Sequence, residues 1–197
     1  MASALELILD FHEDDFTAEK VVSLLEHTRI KQKYGIDNCS YIRTVVNRAN
    51  IRFGIENRIE DDSLYVSWKY GLEKILLGYA MLTDETFPSK EFPAGITLYP
   101  YRDAEASRSY DLFRLMAFVE QLQHIITAKK TCKSMAAWKT FLLDEVIDPM
   151  IFTDDAMPDD RSELESIYTA LRFADQLAEN NPVSFQVFME ELKSEVF

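Results

Sequence analysis

Apolar residues recur at three- and four-residue intervals through most of this chain, and sustained strand-type alternation is missing. The spacing predicts nine helical segments. Ser3 is placed to cap a first short helix ending at Leu9. Thr17 stands ahead of Ala18–Leu25, where its hydroxyl accepts from free backbone N–H groups of a helix ending near His27. A short helix over Ile30–Tyr34 stops at Gly35, which tolerates left-handed backbone. Asp37 opens a helix whose Ile42, Val45, Val46 and Ala49 share one face, and Asn50 suits its C-terminal end. Ser67–Met81 carries the stripe Trp68, Leu72, Ile75, Leu76 and Tyr79. Gly71 and Gly78 interrupt that helix at about 1 kcal/mol each relative to Ala. They lie on nearly one face, so close approach of another element would explain them; the alternative is that both are merely tolerated.

Residues 82–103 contain three prolines and Gly95 and lack a period, which predicts a long loop with a short extended piece at Ile96–Tyr99. Beyond it, Leu112, Leu115, Met116, Val119, Leu122 and Ile126 define a helix from about Ala104 to Lys129. Ser134 caps the next, which runs through Trp138, Leu142 and Val146 towards Pro149. After an acidic turn at 153–160, Leu164, Ile167, Tyr168 and Leu171 mark another helix. Ser184 caps a last one with Phe185, Phe188 and Leu192. The fold class is therefore all-α. Residues 1–197 form one helical domain, or two lobes (1–81 and 104–197) joined by loop 82–103.

Composition agrees with this reading. A 47% hydrophobic content excludes disorder as the default, and five Gly with six Pro are few for an all-β chain. The net charge of −13 repels phosphate backbones, so tight autonomous binding to DNA is not expected. Cys39 and Cys132 have no metal-ligand spacing and read as two buried thiols in a reducing cytoplasm. The start lacks a basic n-region, and no apolar run approaches the roughly 20 residues that span a bilayer, so a soluble cytoplasmic protein without membrane contact is expected.

Catalytic motifs are scarce. Without Gly-Lys-Ser/Thr there is no phosphate-binding loop. His12, His27 and His124 stand apart and read as surface or packing residues. The acidic clusters at 13–15 and 153–160 lack the glycine of a calcium loop and read as solvated turns. Asp159 with Glu191 and Lys193 mimics a magnesium-nuclease signature. On a helix, however, Glu191 and Lys193 point about 200° apart.

Within residues 21–81 a family resemblance emerges. Leu24-Leu25-Glu26, Ile36-Asp37, Ile51-Arg52-Phe53-Gly54-Ile55, Trp68-Lys69-Tyr70-Gly71-Leu72 and Leu76-Leu77-Gly78-Tyr79-Ala80-Met81 follow in that order. The series resembles the gamma subunit of exodeoxyribonuclease V, RecC of the bacterial RecBCD helicase-nuclease. Phe11–Leu25 resembles an upstream segment of such helicase-like proteins. The resemblance implies a helical domain like the 2B domain of superfamily 1 helicases, within a longer subunit. It also implies RecB-like and RecD-like partners, and contact with DNA only inside that complex. ATP and magnesium are expected on the partner subunits, and no cofactor or catalytic residue on this domain. The implied role is scaffolding and strand guidance during unwinding and resection of DNA ends in double-strand break repair by recombination.

Arg52, Arg58, Lys69 and Lys74 are the candidate DNA-backbone or partner contacts; the plainer reading is solvated charge. Trp68, Tyr70, Leu76, Leu77 and Tyr79 offer a stacking platform for single strands, or, by their period, core. Two alternatives stay open: an independent magnesium nuclease using Asp159, Glu191 and Lys193, and a helical protein-interaction adaptor unrelated to DNA.

Overall fold

The computed structural model describes residues 2–81, 86–88, 92, 96–102, 108–153, 158–176 and 181–196, with the backbone alone for 2, 158–161, 170, 173–176 and 194–196. The described elements are mostly helical: α1 (Ala2–Leu9), α2 (Ala18–Leu25), α3 (Thr28–Tyr34), α4 (Cys39–Arg48), α5 (Trp68–Ala80), α6 (Ser109–Lys129), α7 (Met135–Thr140), α8 (Asp148–Met150), α9 (Pro158–Gln176) and α10 (Phe185–Val196). Single 3-10 turns lie at Glu13–Asp15 and Ser63–Val66. Two short strands, β1 (Phe87–Pro88) and β2 (Thr97–Leu98), pair antiparallel, so the extended piece expected at 96–99 has a partner that no pattern announced.

Most helix starts follow from side chains that satisfy otherwise free N–H groups. The hydroxyls of Thr17, Ser67 and Ser134 accept from Lys20, Tyr70 and Ala137. Two expected caps are corrected. Ser3 lies inside α1, where its hydroxyl meets His27 Nε2 at 3.1 Å. Asn38, not Asp37, caps α4, because its carboxamide oxygen reaches the Tyr41 N–H at 2.9 Å. Asn50 takes left-handed backbone (φ 63°) after α4, and Gly35 does so after α3 (φ 60°). The helix expected from Ala104 is described from Ser109; residues 104–107 lie outside the described set. The thiol expectation is also corrected: Cys39 is half-buried and Cys132 exposed, both unbridged.

The chain divides into two interleaved compact units. The first comprises 1–11, 27–34 and 120–197. An aromatic cluster of Trp138, Phe141, Phe185 and Phe188 sits at its centre, with Trp138 ring centroids 5.2–6.1 Å from the others. The backbones of Lys133 and Val183 exchange hydrogen bonds, and Trp138 Nε1 donates to the same Val183 carbonyl at 2.9 Å. Lys129 Nζ donates to the carbonyls of Leu9 and Phe11 at 2.6 and 2.8 Å, closing the end of α1. After α7 the backbone widens into a π-helical stretch, Phe141–Ile147, before α8. Gln121 Nε2 takes the Glu145 carbonyl (2.6 Å), while His124 Nε2, one turn on, meets the Glu145 carboxylate at 2.6 Å.

The second unit comprises 12–26 and 35–119. Val21, Val22, Leu24 and Leu25 of α2 and Ile42, Val45 and Val46 of α4 are buried, as their stripes require, and the two helices pack together. A smaller cluster of Leu64, Tyr70, Phe92, Ile96 and Leu98 holds the β-pair against α5. Tyr70 adds a hydrogen bond from its hydroxyl to the Thr97 carbonyl at 3.0 Å.

Candidate functional site

The second unit contains all four candidate contact residues; Arg52 belongs to the irregular segment Ile51–Ile55, Lys69 bonds to it, and Lys74 bonds to Ala49 just before it. This segment is held on both edges by backbone hydrogen bonds. On one edge Ala18 N–H donates to Arg52 O (2.7 Å) and Gly54 N–H to Phe16 O (2.8 Å). On the other, Arg52 N–H donates to Val66 O (2.8 Å), Trp68 N–H to Gly54 O (2.9 Å) and Lys69 N–H to Ile55 O (3.0 Å). Five bonds of this kind, each worth about 1 kcal/mol net, tie the starts of α2 and α5 to one strip of backbone, and a sixth, from Ile51 N–H to Val46 O (3.0 Å), ties it to α4.

Side chains reinforce the strip. Ile51 is fully buried, and a Cβ on Gly71 would overlap its side chain. A Cβ on Gly78 would overlap the carbonyl of Tyr101, whose N–H is bonded to Lys74 O at 2.9 Å. Each of the two glycines thus admits a different neighbour, which explains both interruptions of α5. Trp68, wholly buried, meets Phe16 edge-on with centroids 6.3 Å apart.

The four cations divide into two kinds. Arg52 is exposed; its Nε donates to Asn50 Oδ1 (3.2 Å) and one terminal nitrogen reaches Asn47 Oδ1 (3.5 Å). Neutral carboxamides therefore orient it without cancelling its charge. Arg58 is exposed in the 56–62 loop, where it helps, behind the Ser63 hydrogen bonds, to hold the Asp61 carboxyl below its usual range. Lys69 is half-buried, paired with Glu56 and 5.4 Å from the Phe92 ring centroid. Lys74 is half-buried too. Its ammonium donates to the Ala49 carbonyl at 3.1 Å, and burial lowers its pKa. Arg52 and Arg58 therefore face solvent, while Lys69 and Lys74 are engaged inside the unit.

The aromatic set is core only in part, and Leu76, expected on the buried stripe, corrects that expectation. Trp68 and Tyr70 are buried and offer no platform; Leu77 and Tyr79 are half-buried, and Leu76 is exposed. Glu191 and Lys193 lie on α10, as expected, and Lys193 stands 3.8 Å from Asp10. The Asp159 side chain is outside the described set. Among the described residues no three His, Cys, Asp or Glu side chains group as metal ligands. No described helix is long and apolar enough to cross a membrane.

The fold defines a helical module whose most distinctive sequence segment forms its internal frame. The sequence model of the RecBCD enzyme subunit RecC fourth domain matches residues 1–196, and the chain belongs to that family. RecC of Mycobacterium tuberculosis is 28% identical over 139 residues, covering 66% of this chain and 12% of that protein. RecC of Haemophilus influenzae is 26% identical over 156 residues, 77% of this chain and 14% of the relative. The chain thus spans only about an eighth of the length of the relatives it matches.

Proposed function

We propose that this chain is a noncatalytic scaffold domain of a RecC-type subunit, acting in DNA-end unwinding and resection for recombinational repair. On this reading RecB-like and RecD-like subunits supply ATP hydrolysis and bond cleavage, with ATP and magnesium bound there. DNA meets this domain only inside the assembly, with Arg52 and Arg58 as candidate backbone contacts. The observation that carries the reading is the use made of Ile51–Ile55. This segment, one of those that carry the family resemblance, is hydrogen-bonded on both edges and packed against Gly71, which supports a role in rigidity. Likeness to the 2B domain of superfamily 1 helicases, a helical spacer beside a motor, belongs to the same proposal.

The test uses the full RecC-type subunit with its partners. Gly78→Val, which drives a side chain into the Tyr101 backbone, should reduce recovery of the three-subunit complex. ATP-dependent degradation of linear duplex DNA should fall in proportion. Complex recovered at wild-type yield with wild-type activity would refute the scaffold reading. Nucleotide hydrolysis or DNA cleavage by the isolated 197-residue chain would refute its noncatalytic part.

A further inference from the structure

Residues 135–150 run through α7, the π-helical stretch Phe141–Ile147 and α8 without an intervening turn. Burial in the core sets this widening. Phe141 and Leu142 on one turn, and Val146 and Ile147 on the next, are all buried. Residues five apart diverge by about 140° on an α-helix, so that register would turn one pair away from the core. Bonds that reach five residues back, from Asp148 N–H to Leu143 O and from Phe152 N–H to Ile147 O (2.9 Å), bring both pairs to one side. Pro149 fits the same geometry. In α-helical register it would face the Glu145 carbonyl, where it has no N–H to give and its ring would clash.

α6 serves that carbonyl from outside. Gln121 and His124, three residues apart and so on one face, both reach Glu145. Gln121 Nε2 donates to its carbonyl oxygen at 2.6 Å, and His124 Nε2 stands 2.6 Å from its carboxylate. The first bond thus ends on the oxygen that an ordinary residue at 149 would serve. The second is open to water: the His124 side chain is 55% exposed and that of Glu145 38%, so solvent competes for it.

The two sides of the stretch are anchored separately. α7 packs on α9 and α10, with the Trp138 and Phe188 rings stacked. α8 packs on α3, where the Tyr34 hydroxyl donates to Met150 Sδ at 3.2 Å. π-helical turns are rare, recur at functional sites and are places where helices kink. A change of bend here moves α8 with α3 against α7 with α10.

We propose that residues 143–149 are a proline joint latched from α6. Gln121 stands in for the N–H that Pro149 lacks, and His124 adds a second hold on Glu145. Loss of these contacts releases the bend between α7 and α8. The joint is a property of this chain and does not depend on the scaffold reading.

Hydrogen exchange of the 197-residue chain, read by mass spectrometry, tests it. Gln121→Leu should raise exchange of the 143–152 amides by about tenfold or more and leave those at 185–192 of α10 within about twofold. His124→Leu should raise the same 143–152 amides by about threefold. Pro149→Ala supplies the missing N–H, so adding Gln121→Leu to it should change exchange at 143–152 by less than about twofold. Unchanged exchange at 143–152 in the Gln121→Leu chain overturns the proposal. So does a rise of equal size at 143–152 and in α10, which marks general loosening of the unit rather than a local joint. A Gln121→Leu effect as large in the Pro149→Ala chain as in the wild type overturns it too, because Gln121 would then not be replacing the proline's N–H. His124→Leu removes only a solvent-exposed bond, which guards against a variant that merely fails to fold.

Discussion

Lys74 Nζ lies 3.1 Å from the carbonyl oxygen of Ala49, the residue that closes α4. The last carbonyls of a helix lack intrahelical donors and carry the negative end of its dipole, so an ammonium there satisfies both. Burial opposes this by penalising the charge, which is why the Lys74 pKa is lowered. Replacement by Met keeps the stem and removes the donor. Lys74→Met should destabilise the chain by about 1–2 kcal/mol in urea unfolding. Because the folded pKa lies below that of unfolded lysine, stability should gain from Lys74 as pH rises from the folded value towards 10.5, and Lys74→Met should flatten that rise.

Gly71 and Gly78 reverse an ordinary expectation. Gly→Ala in an exposed helix interior gains about 1 kcal/mol of helix propensity. Here the added methyl group meets the Ile51 side chain at Gly71 and the Tyr101 carbonyl at Gly78. Both Gly→Ala variants should unfold at lower denaturant, by about 1–3 kcal/mol, the range of overpacked cores. Gly78→Ala should cost more, since backbone yields less than a side chain.

Two buried tryptophans should respond differently to one substitution. Trp138 Nε1 donates to Val183 O, whereas Trp68 Nε1 has no protein acceptor among the described residues. Trp→Phe leaves a similar gap at each site, but only at position 138 does it break a hydrogen bond. Trp138→Phe should cost about 1 kcal/mol more than Trp68→Phe in thermal or urea unfolding. Equal costs would contradict the bonding assigned to Val183.

His27 links α1 to the start of α3. Its Nδ1 accepts from the Arg29 N–H (3.4 Å), and its Nε2 meets the Ser3 hydroxyl. Burial first, then the positive charges of the N-terminus and Arg29, lower its pKa below 6.5. Between the folded value and 6.5 the unfolded chain therefore holds more protons, so stability rises with pH there. The contribution is complete above 6.5 and disappears as pH falls through the folded value. Urea midpoints of the wild type should decline through that window, and His27→Gln should show a shallower decline.

Of the candidate site, the sequence revealed the residues but not their roles. Arg52 and Lys74 look alike as cations near α4 and α5, yet one is oriented outward by Asn47 and Asn50 and the other turned onto Ala49. Nothing local distinguishes them, because their partners are set by how α4 meets α5.

The chain by itself determined its helices, most of their caps and the two glycines that a neighbour must approach. Those features rest on 3.6-residue periodicity and on hydrogen bonds within a few positions, which any short window contains. Tertiary structure alone decided that Ile51–Ile55 would be held between Phe16–Ala18 and Val66–Lys69, and that Lys129 would cross to the end of α1. It likewise decided the π-helical widening beside Gln121 and the pairing of β1 with β2. Each joins groups distant along the chain, and their contact depends on how stripes pack rather than on where they lie in sequence.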